Sequence, residues 1–206
     1  MSGGKIQQNL FVSRINGQFG VKPNGAATQT SNGYVENSIF GCYLINNADT
    51  ITAKFDFTNS RNGSPTINLT TNATGKGRIV FGLDQGTLDP VSASSLKSNA
   101  TIIKPNTQYT VSGYIKYTNL VSTTLAFTIH EYNVDGNRTS QTLDSATSGT
   151  SDWTLKSITF TSKPTTKYLV IGSGIGNAGI QSFNVDVNSI KITEISSRGY
   201  KNSKSH

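Results

Sequence analysis

With 206 residues, 34% of them apolar and 14% charged, the chain is long enough to bury a sizeable core without a metal or disulfide staple. One cysteine excludes an intramolecular disulfide, and one cysteine with two histidines excludes a zinc cluster. The net charge of +7 arises from 18 basic against 11 acidic residues, with Arg198, Lys201 and Lys204 in the tail; no basic stripe interleaves with aromatics, so specific nucleic-acid binding is not expected.

The amino terminus, Met1-Ser2-Gly3-Gly4-Lys5-Ile6-Gln7-Gln8, lacks the apolar core of a Sec signal peptide. No stretch approaches the roughly 18 apolar residues of a membrane span, so membrane insertion is not expected. The apolar run Ile39 to Leu44 places Cys42 as a small buried hydrophobe. Ile51 to Phe57 alternates strictly, sending Ile51, Ala53, Phe55 and Phe57 to one face and Thr52, Lys54 and Asp56 to the other, as a half-buried strand does. Turn clusters follow at 59–65, 72–77 and 84–90, and residues 86–100 read equally as a loop or a short helix. Lys104-Pro105-Asn106 turns the chain into an alternating strand at 109–117, and a second alternating run covers 125–132. Asp135-Gly136-Asn137 is a hairpin turn needing positive φ. Further alternating runs cover 153–160 and 183–192, each read as a strand with one wet face. Short strands, frequent turns and no convincing amphipathic helix predict an all-β fold, an antiparallel β-sandwich of jelly-roll type. One domain over 9–195, with an arm at 1–8 and a basic tail at 196–206, is the economical parse.

Catalytic and cofactor motifs fail on context. Gly174 to Gly179 spells G-x-G-x-x-G, but the alternation of the next segment predicts a strand where a dinucleotide site needs a helix. Lys76 in Thr74-Gly75-Lys76-Gly77 lacks the upstream glycine and the downstream hydroxyl of a phosphate-binding loop, and reads as a turn. The body holds a single histidine, His130, and no nucleophile elbow, which argues against a triad and against an enzyme. Asn68, Asn72, Asn99 and Asn137 begin Asn-x-Ser/Thr triplets, as chance allows in so Asn- and Thr-rich a chain.

From Ile103 to Ile195 the order of segments resembles the carbohydrate-binding-module-like jelly rolls of the family 4/9/22 type. The segments are Lys104 to Lys116, Glu131 to Asn137, Asp152 to Thr161 and Val185 to Ile192, with a looser fit at Asn9-Leu10-Phe11 and Asn16 to Phe19. Calcium is the one metal to consider, with Asp186 or Asp135 as an oxygen ligand; the resemblance implies a core position for Trp153, the calcium-binding role for Asp186, and no other cofactor. Sugar-binding members stack ligands on aromatic rings; with the only tryptophan assigned to the core, Tyr34, Tyr43, Tyr114, Tyr117 and Tyr132 remain as platforms, and Tyr114, Tyr117 and Tyr132 are the ligand-binding candidates. Such sandwiches occur beside polysaccharide-degrading enzymes and as structural proteins of tailed bacteriophages. The absence of a catalytic domain and of a signal peptide, with the Asn/Thr/Ser/Gly-rich composition, makes a non-enzymatic virion subunit the leading expectation. That subunit would be a capsid decoration, head-fibre or tail-associated protein, homo-oligomeric, partnered by other virion proteins or a host-surface glycan, and assembled in the host cytoplasm. The alternative is a carbohydrate-binding module recognising a polysaccharide.

Overall fold

The computed structural model of the protein describes residues 42–45, 51–71, 77–81, 91–144, 146–175, 182–186 and 189–195. The readings for Tyr34, the Lys76 turn, the Gly176–Gly179 half of the glycine motif, the arm and the tail lie outside these residues, and so do those for the Cys42 and Tyr43 side chains. Among the described residues eleven strands account for nearly all the regular structure: β1 (Cys42–Ile45), β2 (Ile51–Arg61), β3 (Ser64–Thr71), β4 (Gly77–Phe81), β5 (Thr101–Ile102), β6 (Gln108–Tyr132), β7 (Arg138–Leu143), β8 (Ala146–Thr161), β9 (Tyr168–Ile175), β10 (Ser182–Val185) and β11 (Lys191–Ile195). Among the same residues one short helix, α1 (Ala93–Asn99), lies between β4 and β5.

Every strand pair is antiparallel, and β6 organises them. The sequence reads 109–117 and 125–132 as two strands; the structure joins them into one of 25 residues. That strand cannot lie flat in one sheet. Its pairing with β8 slips between Ile115 and Thr124, and Asn119 adopts φ 55° at the break. The part before the break lies between β8 on one side and β10 and β11 on the other, and β3 and β2 continue beyond β10. The part after it lies between β7 and β9, with β4 and β1 beyond β9 and β5 beside it. The two halves of β6 thus belong to two antiparallel sheets of a jelly-roll sandwich.

Alternation fills the space between the sheets. Ile67 and Leu69 of β3, Val111 and Ile115 of β6, Phe183 and Val185 of β10, and Ile158 and Phe160 of β8 come from the first sheet. They share one cluster with Phe81, Phe127, Ile129, Leu169 and Ile171 of the second. Each such side chain, wholly removed from water, contributes about 1.5–3 kcal/mol before ordering costs.

The second sheet departs from the expectation of one wet face. Residues 126–132 are buried on both sides, His130 and Glu131 included. A second apolar cluster explains this, with Val80, Tyr132, Tyr168 and Val170 on the outer face beneath Val91, Leu96 and Ala100. Seven residues make no stable helix alone. Here Ser92 caps α1 by accepting from Ser95 N at 3.2 Å. Val91 before the cap and Leu96 four residues after it pack into one cluster, the pattern of a hydrophobic staple. The undecided segment 86–100 therefore ends in a helix that closes the outer face of the second sheet.

The run 183–192 is also not one strand: β10 stops at Val185, and the Asp186 carbonyl accepts from Ser189 N at 3.0 Å and Ser189 Oγ at 2.6 Å before β11 begins.

Candidate functional site

Because Ile67, Leu69, Phe183, Val185, Val111 and Ile115 face inward, their alternate neighbours form the outer face of the first sheet. Asn68 lies opposite Asn184, and Asn184 opposite Lys116. Tyr114 lies opposite Leu155, and Asp56 opposite Thr66. From β2 to β8 this face crosses four strand spacings, about 19 Å.

At the β2 end the ladder is broken so that a side chain can reach across it. Pairing with β3 shifts between Asp56 and Arg61, and Asn62-Gly63, at φ 54° and 78°, make the two-residue turn. Asp56 locks the irregularity. Its Oδ1 accepts from Thr58 N, Thr58 Oγ1 and Asn59 N at 2.9, 2.7 and 3.0 Å, and its Oδ2 accepts from Asn59 Nδ2 at 2.7 Å. Burial pushes the Asp56 carboxyl up, but the donors on Asn59, Thr58 and Asn184 outweigh it and hold the group well below the ordinary carboxylate range. The bulge brings Arg61 over the Tyr114 ring, its guanidinium carbon 3.5 Å from the centroid, and within 3.2 Å of Asp186 Oδ2.

The middle of the face is a layer of nearly buried polar side chains. Asn184 Nδ2 donates to Asp56 Oδ2 at 2.9 Å and to Thr66 Oγ1 at 3.0 Å. Asn68 Nδ2 donates to Asn184 Oδ1 at 2.8 Å and to Ser182 Oγ at 3.0 Å. At the β8 end the face becomes amphipathic: Leu155 is 55% exposed, and Trp153 is half-buried.

Trp153 is a correction to the sequence reading, which gave it to the core. It belongs to neither core cluster. Two steps along β6, from Ile115 to Tyr117, match three along β8, from Thr154 to Ser151, so β8 bulges here. Thr154 pairs with inward Ile115, which turns Trp153 outward, while Asp152 bonds Lys116 Nζ at 3.2 Å. Asp152, with the Trp153 N–H and Lys116 as donors, titrates below its ordinary value.

The three candidate tyrosines separate by strand parity. Only Tyr114 reaches the outer face, and Arg61 covers its ring. Tyr117, at 9% exposure, faces the core with Ile115, and Tyr132, at 0%, lies under α1; neither offers a ring to a ligand. Asp186 is nearly buried, its carboxylate held by Arg61 and its N–H donated to the Tyr114 carbonyl at 3.0 Å. A calcium ion there would have to displace the guanidinium, and among the described residues no three His, Cys, Asp or Glu gather as ligands, so the residues described do not fit one. Among the same residues no helix is long and apolar enough to cross a membrane. Sequence reasoning missed Asp56, Arg61, Asn68, Lys116 and Asn184. The available signal was an asparagine, poorly suited to strands, set between core residues in Ile67-Asn68-Leu69 and Phe183-Asn184-Val185.

A jelly-roll sandwich with one face closed by a helix, and the other carrying fixed amides, an arginine and an outward tryptophan, belongs to the class of binding modules. The chain is a member of the carbohydrate binding domain family, whose pattern matches residues 61–174, more than half its length. The match includes Arg61, Asn68, Tyr114, Lys116 and Trp153 and ends before Asn184 and Asp186. It favours the carbohydrate-binding reading of the sequence over the virion-subunit reading. No match was found among curated proteins. Similar solved structures include a family 16 carbohydrate binding module, 17% identical over 69% of this chain and 85% of that one, with TM-score 0.46. The CBM22-1 xylan-binding domain from Paenibacillus barcinonensis Xyn10C is 13% identical over 80% and 90%, with TM-score 0.46. The enzymatically active domain of bacteriophage CBA120 tailspike protein 4 is 13% identical over 86% of this chain and 22% of that one, with TM-score 0.47.

Proposed function

We propose that this protein binds a polysaccharide, without reacting with it, across the outer face of the first sheet between Arg61 and Trp153. A sugar ring presents hydroxyls around its edge and C–H groups on its faces. Its recognition calls for fixed planar polar groups beside an apolar or aromatic surface. The observation that carries the reading is their coincidence on one face: the Asn68–Asn184 amide pair and Arg61 lie beside an outward Trp153 and an exposed Leu155. Tyr114, in this reading, supports Arg61 and does not itself stack on the sugar. Catalysis finds no support at the face. Glycoside hydrolysis needs one carboxyl free to give a proton and another free to attack or activate water. Asp56 accepts five hydrogen bonds, and Asp186 is paired with Arg61.

Calorimetric titration against soluble polysaccharides tests this, with Trp153→Ala as the critical variant. Loss of the ring is expected to weaken binding about tenfold or more with the melting temperature little changed. Equal affinity in the variant would move the site off this face, and no binding to any polysaccharide would refute the function.

A further inference from the structure

The network beneath the proposed face has a direction, and Asp56 sets it. An ionised carboxylate only accepts hydrogen bonds. With Asp56 Oδ2 at 2.9 Å, the Asn184 amide must turn its NH2 group toward β2, which leaves Oδ1 facing β3. Asn68 must then present its own NH2 group to Asn184 Oδ1, at 2.8 Å, and its second N–H reaches Ser182 Oγ at 3.0 Å. The second N–H of Asn184 goes to Thr66 Oγ1, whose hydroxyl donates to the Asn59 carbonyl at 3.1 Å. Each amide N–H of the pair is consumed inside the network. What remains at its far end is the Asn68 carbonyl Oδ1, which takes no donor among the described residues.

We infer that Asp56 is a positioning residue that never touches ligand. By fixing the orientation of two amides in turn, it makes Asn68 Oδ1 a standing acceptor for a donated sugar hydroxyl and disfavours a carboxylate or sulfate at that spot. The inference rests on the polysaccharide reading of the same face. Two features support it. Asn68, Asn184 and Thr66 are almost fully buried, where each bond is stronger than in water and a reversed amide would face donor to donor or acceptor to acceptor. Two cations of this face are already matched, Arg61 by Asp186 and Lys116 by Asp152, so an incoming anion would meet no unpaired positive charge at either, and Lys54 is the register partner of Asn68 on β2.

The test compares the wild-type chain with Asp56→Asn on neutral xylan, hydroxyethyl cellulose and mannan and on acidic alginate and polygalacturonate. Nuclear magnetic resonance of the side-chain amides runs in parallel. Wild type is expected to prefer its best neutral polymer over the acidic ones by about tenfold or more. The Asn68 and Asn184 NH2 signals are expected to exchange slowly with solvent. In a folded Asp56→Asn protein both signals shift, neutral affinity falls about tenfold and the preference shrinks, because an amide at 56 no longer dictates the orientation of its neighbours. A folded variant with wild-type affinity and preference overturns the role of Asp56 and leaves the polysaccharide reading standing, as does a wild-type preference for an acidic polymer. Wild type that binds none of the polymers removes both. Should Asp56→Asn not fold, Asn68→Ala decides: a tenfold loss of neutral affinity supports the inference, and unchanged affinity refutes it.

Discussion

Gly136 sits at the tip of the hairpin between β6 and β7, where Asn133 Oδ1 accepts from Asp135 N at 3.0 Å and Asn137 N at 2.9 Å. Its φ is +90°, and a Cβ built there would lie 2.0 Å from the Val91 carbonyl oxygen and 3.3 Å from Ala93 N. No side-chain adjustment relieves a contact with backbone, so Gly136→Ala must push the hairpin and the start of α1 apart. The expected cost combines about 1 kcal/mol of left-handed strain, about 2 for overpacking and about 1 for the Val91 N–H bond to the Gly136 carbonyl, 3.3 Å long. Together these give about 4 kcal/mol, or a melting temperature lowered by roughly 12 °C in a domain of this size. Gly149 supplies the control: its φ is +87° and a Cβ at that position would meet nothing within 4 Å, so Gly149→Ala carries only the strain, about 1 kcal/mol. Calorimetric melts of the two variants, with dye binding to report apolar surface released when α1 lifts from Tyr132 and Tyr168, measure both parts. Equal destabilisation by the two substitutions would refute the claim that contact with the α1 segment, and not backbone strain, makes position 136 glycine.

Two further outcomes follow from hydrogen-bonded carboxylates. Glu131 is wholly buried, its Oε2 accepting from Lys163 N at 2.9 Å and Thr166 Oγ1 at 2.8 Å while Oε1 has no partner among the described residues. Glu131→Ala strands both donors and should cost about 3 kcal/mol in urea denaturation, whereas Glu131→Gln keeps an acceptor in place and should cost about 1; equal losses would mean the charge itself is required. Asp56, held below its ordinary pKa of 3.8 by its donors, stabilises the fold fully above that value and loses the contribution as pH falls below it. The stability difference between wild type and Asp56→Asn should therefore stay constant from about pH 7 to 5 and shrink in more acid solution. A difference that already shrinks above pH 5 would contradict the network.

The sequence by itself determined the strands and the fold class, because alternation is local: Ile51 to Phe57, Tyr109 to Tyr117 and Trp153 to Phe160 each lie within a strand of the structure. The turns at Asn106 and Gly136, both at positive φ, were legible from residue type for the same reason. Only the tertiary structure decided which outward face is wet. Tyr132 is buried because a stapled helix from a distant segment covers it, and no period in 125–132 encodes that. Trp153, by contrast, was decided locally: the ladder from Phe160 to Thr154 is unbroken, and a residue an odd number of steps from inward Ile158 faces outward by alternation alone. The candidate site was legible only at Tyr114 and Asp186. Arg61 and Asn68 come from one hairpin, Asn184 lies more than 100 residues away, and they become one site when β2, β3, β10 and β6 align, since hydrogen bonds between side chains depend on register and not on the composition of any single strand.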